Sequence, residues 1–147
     1  MLLDANLLLY AVDAESPLNR AAAEWLQAVL NGDQRVGLPW QTIGAFLRIS
    51  THPRVTTTPL TTREAIAYVT SWIEADPVWI PPATVRTASV LQRLVTRYQV
   101  TGNLVPDAQL AALAIEHGLV VMSADTDFAR FSELRWQNPL SPGPPGR

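Results

Sequence analysis

Four aspartates carry most of the chemistry this chain can offer. Asp125 and Asp127 stand one residue apart in "SADTDF", residues 123–128, directly after the apolar run "HGLVVM". Asp4 closes the opening run "MLL", and Asp107 follows Pro106 in "NLVPDAQLAALAIEHG". Each has an ordinary structural explanation. A carboxylate after a strand caps the next helix or closes an Asx turn. One in the first turn of a helix complements the dipole by about 0.3–1 kcal/mol. Convergence argues for more. Asp4 and Asp125 each follow the carboxyl end of an expected strand, and Asp107 opens the helix leading into the second of those strands. Carboxylates gathered without Lys or His partners repel one another and need a cation. Hard oxygen ligands of this kind suit Mg²⁺ or Mn²⁺, not zinc.

The rest of the composition narrows the chemistry further. The 147 residues contain no Cys, which excludes disulfides, thiolate zinc and a cysteine nucleophile. All 11 basic residues are Arg. The absence of Lys removes the Walker P-loop, Schiff-base chemistry and lysine-dependent phosphatases. With only His52 and His117, an all-histidine metal site is excluded as well. A formal charge of −2 argues against a nonspecific nucleic-acid coat. Setting the four aspartates aside leaves 11 basic against nine acidic residues, which is compatible with a local Arg-lined groove.

Alternating elements must position these acids. A strand at Met1–Leu3 ends at Asp4. A helix is expected over Ser16–Leu30, with Ser16 as N-cap, Pro17 at its first position and Gly32 past its end. "RVGLP" reads as a short strand. "WQTIGAFLRISTHP" reads as a helix stopped before Pro53. Thr61 and Glu64 form a capping-box pattern ahead of a helix reaching Glu74. "VWI" is a strand, "TVRTASVLQRLVTRYQV" a helix, and the Asp107 helix ends at Gly118 before the strand "LVVMSA". Short apolar strands alternating with helices indicate an α/β sandwich around a mostly parallel sheet. In such folds the site lies beyond the carboxyl ends of the strands, at a switch point. A single domain over residues 1–140 is expected, followed by a frayed Pro/Gly-rich tail at 141–147. No apolar run approaches the roughly 20 residues that span a bilayer. The N-terminus lacks the basic region of a signal peptide, so a cytoplasmic location is expected, with no membrane partner.

Asp4 in "LLDANLLLYA", Asp107 in "NLVPDAQLAALAIEHG" and the acids of "SADTDFARF" together resemble the PIN-domain ribonucleases. More closely they resemble the VapC toxins of bacterial toxin–antitoxin pairs, and "FLRISTHPRV" and "LRWQNPL" fit a subgroup of those toxins. The resemblance spans roughly residues 1–140. It implies a PIN-like three-layer α/β/α sandwich and an endoribonuclease dependent on Mg²⁺, or on Mn²⁺ in its place. Asp4 and Asp107 match the family's main metal ligands, and Asp125 and Asp127 its closing acids. Asp4, Asp107 and Asp125 are thereby implied as catalytic. The metal would activate a water for in-line attack on RNA. A homodimer held in check by a cognate VapB-type antitoxin is also implied.

One position departs from the pattern. The family's second acid belongs on the helix that here reads "WQTIGAFLRIS", where its place falls to Gln41 or Ala45, four residues apart on one face. Neither is a carboxylate. The alternative function is therefore a catalytically weakened PIN-like module that binds RNA or protein. A haloacid-dehalogenase-like phosphatase would need Asp where Asn6 stands, and a Lys. Ser123 and Asn6 adjoin the acids and are candidates for contact with metal, water or phosphate, against local turn bonding. Arg48 and Arg130 read as solvated or salt-bridged surface arginines, against contact with RNA phosphate or a partner's acid, and His52 as a loop residue and not a base. Trp25, Trp40, Trp72, Trp79 and Trp136 read as core or dimer-interface residues. Asp13, Glu15, Glu74 and Glu116 read as solvated faces.

Overall fold

The structure, a computed structural model, describes residues 1–142. Its strands are two residues long: β1 (Leu2–Leu3), β2 (Val36–Gly37), β3 (Val78–Trp79), β4 (Val121–Met122) and β5 (Trp136–Gln137). They form one sheet in the order β3-β2-β1-β4-β5, and every pairing is parallel. Successive strand residues point to opposite faces. Leu2 and Val121 accordingly pack with Val90, Leu94 and Phe128 on one face, while Leu3 and Met122 pack with Leu7, Phe46 and Trp72 on the other. Both faces are apolar, so both must be covered by helices.

Helices α1 (Ala5–Val12), α2 (Asn19–Leu30), α3 (Trp40–Ser50) and α4 (Thr62–Ile73) cover the Leu3 face. Helices α5 (Val85–Tyr98) and α6 (Val105–His117) cover the Leu2 face. This is the expected α/β/α sandwich, with a sheet that is wholly parallel. Gly37 allows β1 and β2 to approach, since a Cβ there would lie 2.9 Å from Leu2 Cδ1 and 3.2 Å from the Met1 carbonyl. Among the described residues no helix is long and apolar enough to cross a membrane.

The capping chemistry explains several boundaries. Thr61 and Glu64 form the reciprocal capping box of α4, and Gly118 ends α6 at φ 66°, a left-handed conformation that suits glycine. Helix α2 begins at Asn19, two residues after the expected first position at Pro17. The Ser16 carbonyl accepts from Asn19 N–H at 3.0 Å, making "SPLN" a turn. The Asn19 amide then donates to the Tyr10 and Ala11 carbonyls at 2.9 and 3.1 Å, closing the end of α1. Helix α1 and strand β5 are elements the sequence pattern did not mark. The expected tail at 141–147 falls outside the described residues from 143 onward.

The sheet order makes β1 and β4 neighbours, with β2 on the far side of β1. The chain thus turns in opposite directions from the centre, and the crevice beyond the carboxyl ends of β1 and β4 is the switch point. Asp4 leaves β1 there, and Ser123–Asp127 leave β4.

Candidate metal centre

Asp4 is the N-cap of α1. Its Oδ1 accepts from Ala5 N–H at 2.7 Å, and its Oδ2 accepts from the Ser123 hydroxyl at 2.6 Å. Ser123 is fully buried at the end of β4. Its hydroxyl is saturated: it donates to Asp4 and accepts from the Asn6 amide at 2.9 Å and from Asp125 N–H at 3.0 Å. Asn6 Oδ1 in turn accepts from Ala124 N–H at 3.3 Å. Strand β5 holds the same residue from behind. Ser123 N–H donates to the Gln137 carbonyl, and the Trp136 indole N–H donates to the Ser123 carbonyl, each at 3.0 Å. Nothing in the sequence marks this use of Trp136, because it depends on β5 lying beside β4.

Asp125 caps a short 3-10 helix, Thr126–Arg130, its Oδ1 accepting from Asp127 N–H at 2.8 Å. Phe128, 1% exposed, anchors that helix in the core. The ordinary explanation of "SADTDF" is therefore correct as far as it goes. It is incomplete, because Asp107, Asp125 and Asp127 each present a carboxylate oxygen within 4.8 Å of the other two. Asp107 arrives from the first turn of α6. Asp4 lies outside this close group, and both its oxygens are engaged by donors.

The electrostatics record the crowding. Burial, together with the charges of Asp125, Asp4 and Asp127, pushes the Asp107 carboxyl up to about 6, with Arg130 pulling the other way. Burial also raises Asp4; the hydrogen bonds from Ser123 and Ala5 offset part of this, and the Asp125 charge adds to it. Arg130 pairs with Asp127 at 3.0 Å. Among the described residues the close group is thus three carboxylates with one bonded guanidinium, held by Asp127, and with oxygen as the donor atom throughout. That set fits a hard divalent cation such as Mg²⁺ or Mn²⁺.

Helix α3 brings no carboxylate to this edge. Gln41 is exposed and Ala45 half-buried. Between them Thr42 is buried and donates to the Leu3 carbonyl at 2.7 Å, fixing α3 against the residue before Asp4. Of the other residues weighed from sequence, Arg48 is exposed, and His52 accepts from Arg54 N–H in a loop. Trp72 is buried in edge-to-face contact with Phe46, whereas Trp40 is 66% exposed and no core residue. Glu116 differs from the expected solvated residue. It accepts from the Thr84 and Thr87 hydroxyls, which ties α6 to the start of α5.

A family model described as PIN domain matches residues 1–134. Ribonuclease VapC33 of Mycobacterium tuberculosis is 42% identical over 137 residues, covering 93% of this chain and 96% of that protein. Ribonuclease VapC37 of the same organism is 41% identical over 138 residues, covering 94% and 96%. Among solved structures, VapBC2 from Rickettsia felis bound to a promoter DNA fragment matches with a TM-score of 0.64 at 13% identity, over 93% of this chain and 96% of that one. VapBC-1 from nontypeable Haemophilus influenzae matches with a TM-score of 0.64 at 17% identity, over 95% and 98%. At such low identity these structures speak for the fold.

Proposed function

The chain belongs to the PIN-domain family, in its VapC group, and from that premise we propose that it is a divalent-metal-dependent endoribonuclease toxin. The observation that carries this reading is the close group of Asp107, Asp125 and Asp127 at the switch point, with Asp4 beside it. Asp107, Asp125 and Asp127 would hold Mg²⁺ or Mn²⁺, and Asp4 would complete the set through the Ser123 junction. When bound, the cation supplies activation of a water nucleophile and neutralises charge on the scissile phosphodiester.

The protein's own residues do the positioning. Ser123 orients Asp4, and Asn6 and Asp125 N–H orient Ser123. The 3-10 helix fixes Asp127 relative to Asp125. No side-chain nucleophile is required, in keeping with a chain that has no Cys. Residues 1–140 act as one domain in this reading, and the location is the cytoplasm. The partners are a VapB-type antitoxin and a second copy of the chain; the solved neighbours are themselves VapBC assemblies. A second reading, a weakened RNA- or protein-binding module, is favoured by one observation, the absence of a carboxylate at Gln41 or Ala45.

The deciding experiment incubates purified protein with defined single-stranded RNAs in Mg²⁺, Mn²⁺ or EDTA. Cleavage with metal and none in EDTA supports the nuclease. Tight RNA binding without cleavage in either metal supports the module. Light scattering that gives a monomer at high concentration would remove the homodimer.

A further inference from the structure

Among the described residues, the ion pair that reaches the acidic group is Arg130 with Asp127. The guanidinium makes two contacts to that one residue, NH2 to Oδ1 at 3.0 Å and Nε to the main-chain carbonyl at 3.1 Å. Its charge also bears on Asp107. The side chain is 36% exposed, and its NH1 makes no hydrogen bond among the described residues, which leaves a donor for an approaching substrate. An arginine is permanently charged, and its planar fork matches carboxylate and phosphate equally well. It therefore competes with any dication for Asp127 and is placed to meet any phosphate brought to that dication.

Resting on the metal-nuclease reading, we infer that Arg130 is a resident counterion serving two anions in turn. It holds the Asp127 carboxylate in the metal-free protein. Released from Asp127 when a divalent cation occupies the acids, it meets the RNA phosphate. The consequence is a pair of effects with opposite signs. Removing Arg130 strengthens metal binding and slows cleavage. A surface salt bridge without a role would change neither, and a brace for the 3-10 helix would weaken both when lost.

The test uses the full chain and its Arg130→Met and Arg130→Lys variants. Calorimetric titration with Mn²⁺ alone, at low salt and without RNA, is expected to give about two- to fivefold tighter binding for Arg130→Met, the scale of an exposed ion pair. Arg130→Lys keeps the charge and should bind the ion as the parent does. At saturating Mn²⁺, cleavage of a mixed-sequence single-stranded RNA should be about tenfold or more slower in Arg130→Met. Part of that rate should return in Arg130→Lys, which supplies a point charge but no fork. Melting in EDTA within about 3 °C of the parent marks an intact fold. Unchanged or weaker Mn²⁺ binding by Arg130→Met overturns the inference, and so does unchanged cleavage. If the parent cuts no RNA, the nuclease reading falls and the phosphate role falls with it, while the calorimetry still decides the competition for Asp127.

Discussion

Replacing Asp107 with Asn should stabilise the metal-free protein at neutral pH while ending cleavage. The energy follows from the crowding. The carboxyl titrates near 6 in place of its usual 3.8. At about 1.4 kcal/mol per tenfold change in proton affinity, keeping it ionised costs about 3 kcal/mol before screening. The group is half-buried, and solvent screening reduces this to about 1.5 kcal/mol. The variant also loses a favourable charge in the first turn of α6, about 0.5 kcal/mol. A net gain of about 1 kcal/mol remains, or about 2–4 °C in melting temperature for a chain of this size. The sign with pH is fixed. Asp107 binds its proton more tightly folded than unfolded, so the parent suffers no penalty below the usual carboxylate range. Its stability relative to the variant falls as pH rises through about 6 and is level above that. Scanning calorimetry of both proteins in EDTA from pH 4 to 7 measures the difference. Mg²⁺ at about tenfold its dissociation constant or more should reverse the order at pH 7, because binding then stabilises the parent by about 1.4 kcal/mol. A variant less stable than the parent at pH 7 in EDTA, or a difference that ignores pH, would refute the reasoning.

Three further outcomes are expected. Asp4→Asn should abolish cleavage and relieve growth arrest on expression with an unchanged circular dichroism spectrum; a lost fold would instead make Asp4 a structural carboxylate. Ser123→Ala should cost about 1–3 kcal/mol in chemical denaturation, because Asp4 loses a donor and the Asn6 amide and Asp125 N–H lose their acceptor. With no acid on α3, Mg²⁺ should bind on the order of millimolar, and Glu at either Gln41 or Ala45, tried singly, should tighten it in calorimetry at one position only. Micromolar saturation of the parent, with no gain from either substitution, would mean the site needs no acid there.

The sequence patterns that could be read were those with strong local causes. The α4 capping box, the Gly118 stop and the strand-ending acids each rest on a few neighbouring residues, and the structure has them where the pattern placed them. Helix α1 was hidden because "ANLLLYAV" follows a strand without a break and its buried Ala5, Leu7 and Leu8 show no clear helical period. Strand β5 was hidden because "WQ" acquires its pairing only from β4, with Val121 opposite Trp136. The start of α2 moved because Asn19 bonds to carbonyls eight and nine residues back, a tertiary demand that overrides Ser16 as a cap. At the site, Asp4 stands outside the close group, whereas the approach of Asp125 to Asp107 was legible from a strand end and a helix start. The Ser123 junction and the grip of Trp136 were not, since both require knowing which strands are neighbours.

That junction explains how one short edge tolerates so many acids. A carboxylate that accepts hydrogen bonds is easier to keep ionised than one left to burial and like charges. Asp4 accepts from Ser123 and Ala5, and Asp125 accepts from Asp127 N–H. Asp127 faces Arg130. Among the described residues no such donor reaches Asp107, whose carboxyl is the one pushed to about 6. The helix-capping role of "SADTDF" and its proposed metal role are therefore parts of one arrangement. The capping bond from Asp127 N–H to Asp125 Oδ1 holds the two residues in place, and Arg130 meets the Asp127 carboxylate, leaving Asp107 as the acid of the group that no donor reaches among the described residues. On this argument the pH at which metal binding fails should follow Asp107. Mn²⁺ affinity measured from pH 7 down to 5 should fall through about pH 6 in the parent. An affinity that holds level to pH 5 would place the critical charge on another acid.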